Sequence, residues 1–358
     1  MRSSSRVEAR GRARGGRQTG ALTIEDVARV CGVSAMTVSR VLNDQPRVST
    51  ATRERVLAAV AKLGYSPNRA AQALASAGAR RLCLIYTNPS ASYLSELLLG
   101  TLQQTHLEHA QLLVEPCEDE LDAVAVKRLV ADGVEGLLLP PPLCEQPGLT
   151  ALLSRHGMPA VAIAASCPPK GMSSVHIDDR SAAREMTAYL LSLGHRRIGF
   201  ITGSADQTAS HERLTGYREA LAQAGVKFER AWLRRAKFTY RSGLKAAEQL
   251  LSSLRPPTAI FASNDDMAAA TIAVAHRHGL PVPSALTVVG FDDTALASTL
   301  SPALTTVRQP IAEMAKKAVS QLLVEIRRHQ SGQPPAALEE TVPHQLIHRD
   351  SAAARTMK

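Results

Sequence analysis

The chain has only five cysteines in 358 residues, and they are scattered. Cys31, Cys83, Cys117, Cys144 and Cys167 form no CxxC pair and have no histidine at metal-ligand spacing, which argues against zinc and for reduced, mostly buried thiols in a cytoplasm. Residues 1–20 lack the apolar core that a secretory signal requires. GxSxG, HExxH and P-loop motifs are absent, and GHRRIGFITG (194–203) has neither a following Gly-Lys-Ser/Thr nor GxGxxG spacing. The acid pairs Asp178/Asp179, Asp265/Asp266 and Asp292/Asp293 fall where a strand meets a helix and read as helix caps, not hydrolase carboxylates. His276 and His278 read as a solvated pair. No catalysis, cofactor or metal is expected.

Charge is present, and unevenly placed. Residues 1–80 hold 14 Lys/Arg against 5 Asp/Glu, a net +9 out of +10 for the whole chain, leaving +1 for the rest. A basic head on a near-neutral body suits phosphate neutralisation and predicts salt-dependent DNA binding. The arginines at 2, 6, 10, 12, 14 and 17 sit among Gly, Ser and Ala, which reads as a disordered basic arm over residues 1–20.

Within that head, Leu22 to Asn43 reads as two short helices joined at Gly32. Thr23 and Asp26 have capping-box spacing, and Ile24, Val27, Ala28 and Cys31 share one helix face. Ser34 is placed to cap a second helix whose Val38, Val41 and Leu42 point inward. Ala35, Met36, Thr37, Ser39, Arg40 and Asn43 are left to face outward, the pattern of a helix-turn-helix that lays its second helix in the major groove. A third helix runs from a Ser49 cap through Val56, Ala59, Val60 and Leu63 to Gly64. YSPNRAAQALAS (65–76) is too short and lightly apolar to hold as an isolated helix, so it reads as a hinge that orders on DNA, with Leu74 as an apolar wedge for the minor groove.

TIEDVARVCGVSAMTVSRVLN together with RVSTATRERVLAAVAKLGYSPNRAAQALAS resembles the LacI/GalR (lactose-repressor/galactose-repressor) family of transcription regulators, and the likeness extends over Leu22 to Asp350. The resemblance implies that Ala35, Met36 and Arg40 read bases and Leu74 wedges into the central base step. It implies backbone contacts from Thr37, Ser39, Asn43, Ser49, Tyr65 and Asn68.

Residues 81–350 alternate short apolar runs (Leu82–Tyr86, Leu112–Glu115, Gly136–Leu139, Ala160–Ile163, then Ser174–Ile177, Arg197–Thr202, Ala259–Ala262, Leu286–Phe291) with helical patterns, one near Leu214–Gln223. The fold class expected is a small all-α helix-turn-helix head plus an α/β periplasmic-binding-protein-like body of two doubly wound parallel-sheet subdomains. The domains expected are the head at 21–65, a hinge at 66–80, a body at 81–350 and a tail at 351–358. The body divides into one subdomain of about 81–176 plus 310–335 and a second of 177–309 plus 336–350. A ligand cleft is expected between the strand carboxyl ends.

The resemblance implies that Arg213 is the arginine directed at effector oxygens, that Tyr93, Leu94 and Phe238 line the pocket, and that Gln309 forms a wall. Asn264 and Asp292 end the strands of IFASND and VVGFDD, where they can bond sugar hydroxyls or cap the next helices. Two positions depart from the family: Ala164 stands where an acid is frequent, and Gln207, also placed in the effector site, stands where purine-responsive members have arginine. The function expected is a cytoplasmic, nucleoid-associated repressor, without a membrane partner. It binds a palindromic DNA operator as a homodimer and is released by a small effector, a sugar or oligosaccharide. The alternatives are a regulator with a nucleoside corepressor, or a periplasmic-type sugar-binding protein, which would have no use for residues 22–76.

Overall fold

A computed structural model describes residues 24–42, 48–63, 79–87, 90–118, 120–167 and 169–355. The expectations for Thr23, Asn43, Tyr65, Asn68, Leu74 and the arm at 1–20 lie outside these residues. The chain divides into two compact units, Met1–Ala79 and Arg80–Lys358.

In the head, α1 (Ile24–Cys31), α2 (Ala35–Leu42) and α3 (Thr50–Leu63) enclose a core of Val27, Ala28, Cys31, Val38, Val41, Val56 and Ala59. The 3–4 spacing of these residues on each helix turns one stripe of each inward, which leaves the opposite face free. Two hydroxyls set where helices begin: Ser34 Oγ accepts the Thr37 N–H at 3.2 Å and Ser49 Oγ accepts the Thr52 N–H at 3.4 Å.

Among the described residues the body holds two six-stranded sheets. The first consists of β1 (Arg81–Tyr86), β2 (Gln111–Pro116), β3 (Gly136–Leu139), β4 (Ala160–Ile163), β5 (Ser173–His176) and β11 (Glu339–Thr341), in the order β2-β1-β3-β4-β5-β11. The second consists of β6 (Ile198–Thr202), β7 (Leu233–Arg235), β8 (Ala259–Ala262), β9 (Thr287–Asp292), β10 (Thr305–Arg308) and β12 (Gln345–Ile347), in the order β7-β6-β8-β9-β10-β12. Among the described residues every strand pairing is parallel except β10 with β12. Central strands such as GLLL and AIFA are buried throughout, because helices cover both faces and no residue can turn to water.

The helices of the first lobe are α4 (Ala91–Leu107), α5 (Ala123–Ala131) and α6 (Leu149–Arg155). Those of the second are α7 (Asp179–Ser192), α8 (Thr208–Gln223), α9 (Tyr240–Leu251), α10 (Asp265–Arg277) and α11 (Ala295–Thr299). The chain then returns as α12 (Ile311–Gln330), whose buried stripe Met314, Ala318, Leu322 and Ile326 packs on the first sheet.

Three boundaries differ from expectation. The second lobe does not resume at residue 336: β11 pairs with β5 in the first sheet, Glu340 opposite Val175, and the chain crosses only after Thr341. Residues 351–355 are not a tail: Ser351 is fully buried, accepting the Thr305 N–H at 2.8 Å and donating to the Val288 carbonyl at 2.6 Å. And α8 begins at Thr208, not Leu214, which puts Arg213 inside the helix. Its start is fixed from the other lobe, as described next.

Candidate effector cleft and DNA-reading face

The side chains that converge do so where doubly wound sheets open, at the carboxyl ends of β1, β3, β4, β5, β6, β8, β9 and β10. At the centre is Arg213, 5% exposed. Its Nε donates to Asp179 Oδ1 at 2.7 Å and its Nη1 to the Ser263 carbonyl at 2.5 Å, while Asp292 Oδ1 lies 3.9 Å away. The guanidinium sits 3.6 Å from the centre of the Phe291 ring and 5.9 Å from that of Phe238. A planar, weakly hydrated cation tolerates this site, which an ammonium would not.

Around it the expected residues fall into two groups. Asp292, held at φ 115°, accepts from Gln309 Nε2 at 2.5 Å, so both belong to the Arg213 cluster. Burial raises the Asp292 carboxyl well above the usual carboxylate range, against the pull of Arg213. Tyr93 is buried beside them; burial, then the Asp292 charge, pushes its phenol up. Asn264 is engaged in structure: its Oδ1 caps α10 through the Met267 N–H at 3.0 Å, and its Nδ2 donates to the Phe238 carbonyl at 3.0 Å. That bond pins Phe238 at φ 57°, with its ring against Gly203, where a Cβ would stand 1.9 Å from Cζ. Leu94 packs half-buried on the adjoining core, and Gln207 is the half-buried N-cap residue of α8, its side chain making no capping bond.

The cap of α8 comes instead from the first lobe. Glu145, in the turn Leu143–Glu145 after β3, accepts the Thr208 N–H at 2.8 Å and the Thr208 hydroxyl. Two further bonds join the lobes: Ser166 Oγ donates to Asp179 Oδ2, and Ser90 Oγ to Asp266 Oδ2, each at 2.5 Å. Burial raises Glu145 and Asp266, partly opposed by these hydroxyls. These three contacts latch the lobes over Arg213. Glu145→Ala is expected to remove a charged helix cap, about 1 kcal/mol, and shift the lobes roughly fivefold toward separation. Distances between spin labels on α5 and α9 check this; an unchanged distribution counts against the latch.

The reading of the acid pairs as caps needs correction. Asp178 does cap α7, accepting the Ser181 N–H at 2.8 Å. Asp179 instead holds Arg213. Asp265 accepts from Thr306 and from Thr294 (N–H and hydroxyl) at 2.7, 2.8 and 3.1 Å, and burial carries its pKa up to about 7. Asp293 pairs with Arg308 and Arg349 at 2.6 and 2.7 Å. Ala164 stands at φ 59°, with no acid there; Ser166, two residues on, takes the place nearest Asp179.

On the head, Met36 is 65% exposed and Arg40 is exposed on the same helix, whereas Ala35 partly packs on the core and Thr37 is tied to Ser34, its Oγ1 2.9 Å from Ser34 Oγ. Ser39 lies in α2, and Ser49 serves as the cap of α3.

A helix-turn-helix head with an outward-facing helix, followed in the chain by a two-lobed body with a charged cleft at its strand ends, defines a ligand-responsive DNA-binding protein. Residues 23–68 match the model for bacterial regulatory proteins of the lacI family, and residues 187–352 that of a periplasmic binding protein-like domain. The chain is 32% identical to the HTH-type transcriptional regulator AscG of Escherichia coli (strain K12) over 336 residues, 93% of this chain and 98% of that protein. Among solved structures it is similar to the transcriptional regulator CelR–cellobiose complex (TM-score 0.67, 31% identity, covering 92% of this chain and 99% of that one). It is also similar to the lac repressor dimer bound to operator and the anti-inducer ONPF (TM-score 0.68, 28% identity, 94% and 100%). The chain belongs to the lacI family and is a DNA-binding transcriptional regulator, with the α/β body expected of it. Among the described residues no helix is long and apolar enough to cross a membrane.

Proposed function

We propose that the protein is a cytoplasmic repressor that binds a near-palindromic operator as a homodimer and is released by a neutral sugar or oligosaccharide in the cleft of the body. The observation that carries the effector class is the charge balance around Arg213. Its cation is already matched by the buried Asp179 at 2.7 Å, with the acidic side chains of Asp292, Asp265, Asp266 and Glu145 close by. A sugar phosphate or carboxylate would enter a site crowded with acidic side chains, with its cation already occupied; a neutral polyol would exchange hydrogen bonds with the same groups at little electrostatic cost. Gln207 supports the same reading, since it adds no cation at the rim. CelR, whose structure holds cellobiose, provides a precedent in a relative.

A thermal-shift screen of the full chain against neutral mono- and disaccharides (cellobiose included), sugar phosphates and nucleosides tests this. A ligand at a hundredfold its Kd adds about 2.7 kcal/mol to stability. The expected result is a hit among neutral sugars alone; a hit among phosphates or nucleosides overturns the effector class, and a nucleoside that tightens DNA binding would make it a corepressor. On the DNA side, Arg40→Ala is expected to cost roughly 1–3 kcal/mol on the selected operator and to relax specificity at one base pair. Operator selection followed by affinity measurement checks it; equal loss on random DNA would assign Arg40 to phosphate.

A further inference from the structure

A cavity of about 210 Å³ opens in the first lobe at the end of the sheet opposite the cleft. It is bounded by the residues that lead into β4 and β5 and by the last turns of α12, whereas the Arg213 cluster lies at the carboxyl ends of the strands. Leu153, Met158, Met172 and Pro335 make its wall apolar, His329 is among its lining residues, and Glu325 lines it too. Cavities of about 150 Å³ with apolar walls hold a benzene-sized molecule, so this one accommodates a fragment-sized ligand.

Glu325 gives the cavity its chemistry. The residue is 5% exposed, yet no ion pair to it occurs among the described residues. Its Oε1 accepts from the Ser173 hydroxyl, and the Ala336 N–H is shared between Oε1 and Oε2 at 3.2 and 3.1 Å. A carboxylate offers about four acceptor positions, so two donors leave capacity, chiefly on Oε2, and the charge is uncompensated. A buried, unpaired anion is costly, and apolar walls around it favour a cation that brings its own hydrocarbon.

We propose that this cavity is a second small-molecule site, selective for a protonated amine on a compact apolar group, with the ammonium donating to Glu325. The site lies next to the point where the body begins: Gln330, which follows His329, accepts from Arg80 Nη2 at 3.1 Å, and Glu135 holds the same guanidinium at 3.0 Å. Occupation of the cavity therefore bears on the end of α12 that anchors the first residue of the body.

The test is calorimetric titration of the full chain at pH 7 with benzylamine, protonated at that pH, and with benzyl alcohol as its neutral isostere. The expected result is that benzylamine binds about tenfold or more tightly than the alcohol, as a charge-assisted hydrogen bond requires. Glu325→Gln should erase that preference, and Ser154→Trp, a change at an exposed lining residue of α6, should abolish binding of both. A thermal melt of each variant confirms folding, and Ser154→Trp keeps the test decisive if Glu325→Gln loosens the 333–338 segment. Failure of benzylamine to bind, equal affinity for the two compounds, an amine preference that survives Glu325→Gln, or binding that survives Ser154→Trp each overturns the proposal.

Discussion

Arg213→Ala is expected to lower the stability of the body by about 3–5 kcal/mol, because it strips the counter-charge from two buried carboxylates instead of removing a surface arginine. Asp179 and Asp292 would remain, with one hydrogen bond from Ser166 and one from Gln309 respectively. The loss should depend on pH with a definite sign. Burial already raises the Asp292 carboxyl and Arg213 opposes that rise, so the variant raises it further. A carboxyl whose pKa is higher in the folded than in the unfolded state keeps a proton that the unfolded chain has released. Stability then falls as pH rises above the ordinary carboxylate value of about 4, in the wild type until its own raised Asp292 value is passed and in the variant beyond it, so the two diverge only above the wild-type value. Chemical denaturation at pH 5 and pH 8 should therefore show the smaller deficit at pH 5. A deficit that is equal at both, or below 1 kcal/mol, would mean that the carboxylates find solvent or another partner. The same variant should lose its thermal-shift response to sugars; a full response would place the effector away from Arg213.

The cluster shows which parts of a sequence announce themselves. GLLL and AIFA are legible because a strand covered on both faces must be apolar throughout, a local property of the chain. The three-residue strands β7, β11 and β12 carry no such mark, and where they pair is decided by tertiary register alone, which is how Glu339–Thr341 ends up in the first sheet. Arg213, Asp292, Gln309 and Tyr93 are suggested by family resemblance or by their place at strand ends, and they do meet in one cluster. Asp179 was hidden behind a valid local explanation: a strand-end acid next to a helix reads as a cap, and its neighbour Asp178 is one. Glu145 gave no signal, because its role depends on a helix start 63 residues further on that lacks its own cap. For the same reason the sequence placed the start of α8 too late, and with it the turn that carries Arg213.

Gly216→Ala should reproduce much of the arginine variant without touching a charge. Gly216 lies three residues after Arg213 on α8, and its missing side chain lets the helix rest on α7: a Cβ there would stand 2.1 Å from the Arg180 carbonyl and 2.9 Å from the Arg184 amide. Those atoms are backbone, so no rotamer change relieves the clash, and α8 must move away from α7. Alanine would gain up to about 1 kcal/mol in helix propensity, but forced overpacking costs roughly 1–3 kcal/mol or more. The collision is one residue from Asp179, whose 2.7 Å bond to Arg213 spans the same two helices. A displacement of α8 therefore weakens that ion pair and adds its loss to the packing cost, for a net destabilisation of about 2–4 kcal/mol. Denaturation of G216A, R213A and the double variant separates the two contributions. If the glycine acts through the ion pair, the double variant should lose clearly less than the combined single losses, because the bond can be broken only once. Full additivity would mean that Gly216 serves helix packing alone and that Arg213 is held in place by Ser263, Phe291 and Asp292 without help from the α7–α8 contact.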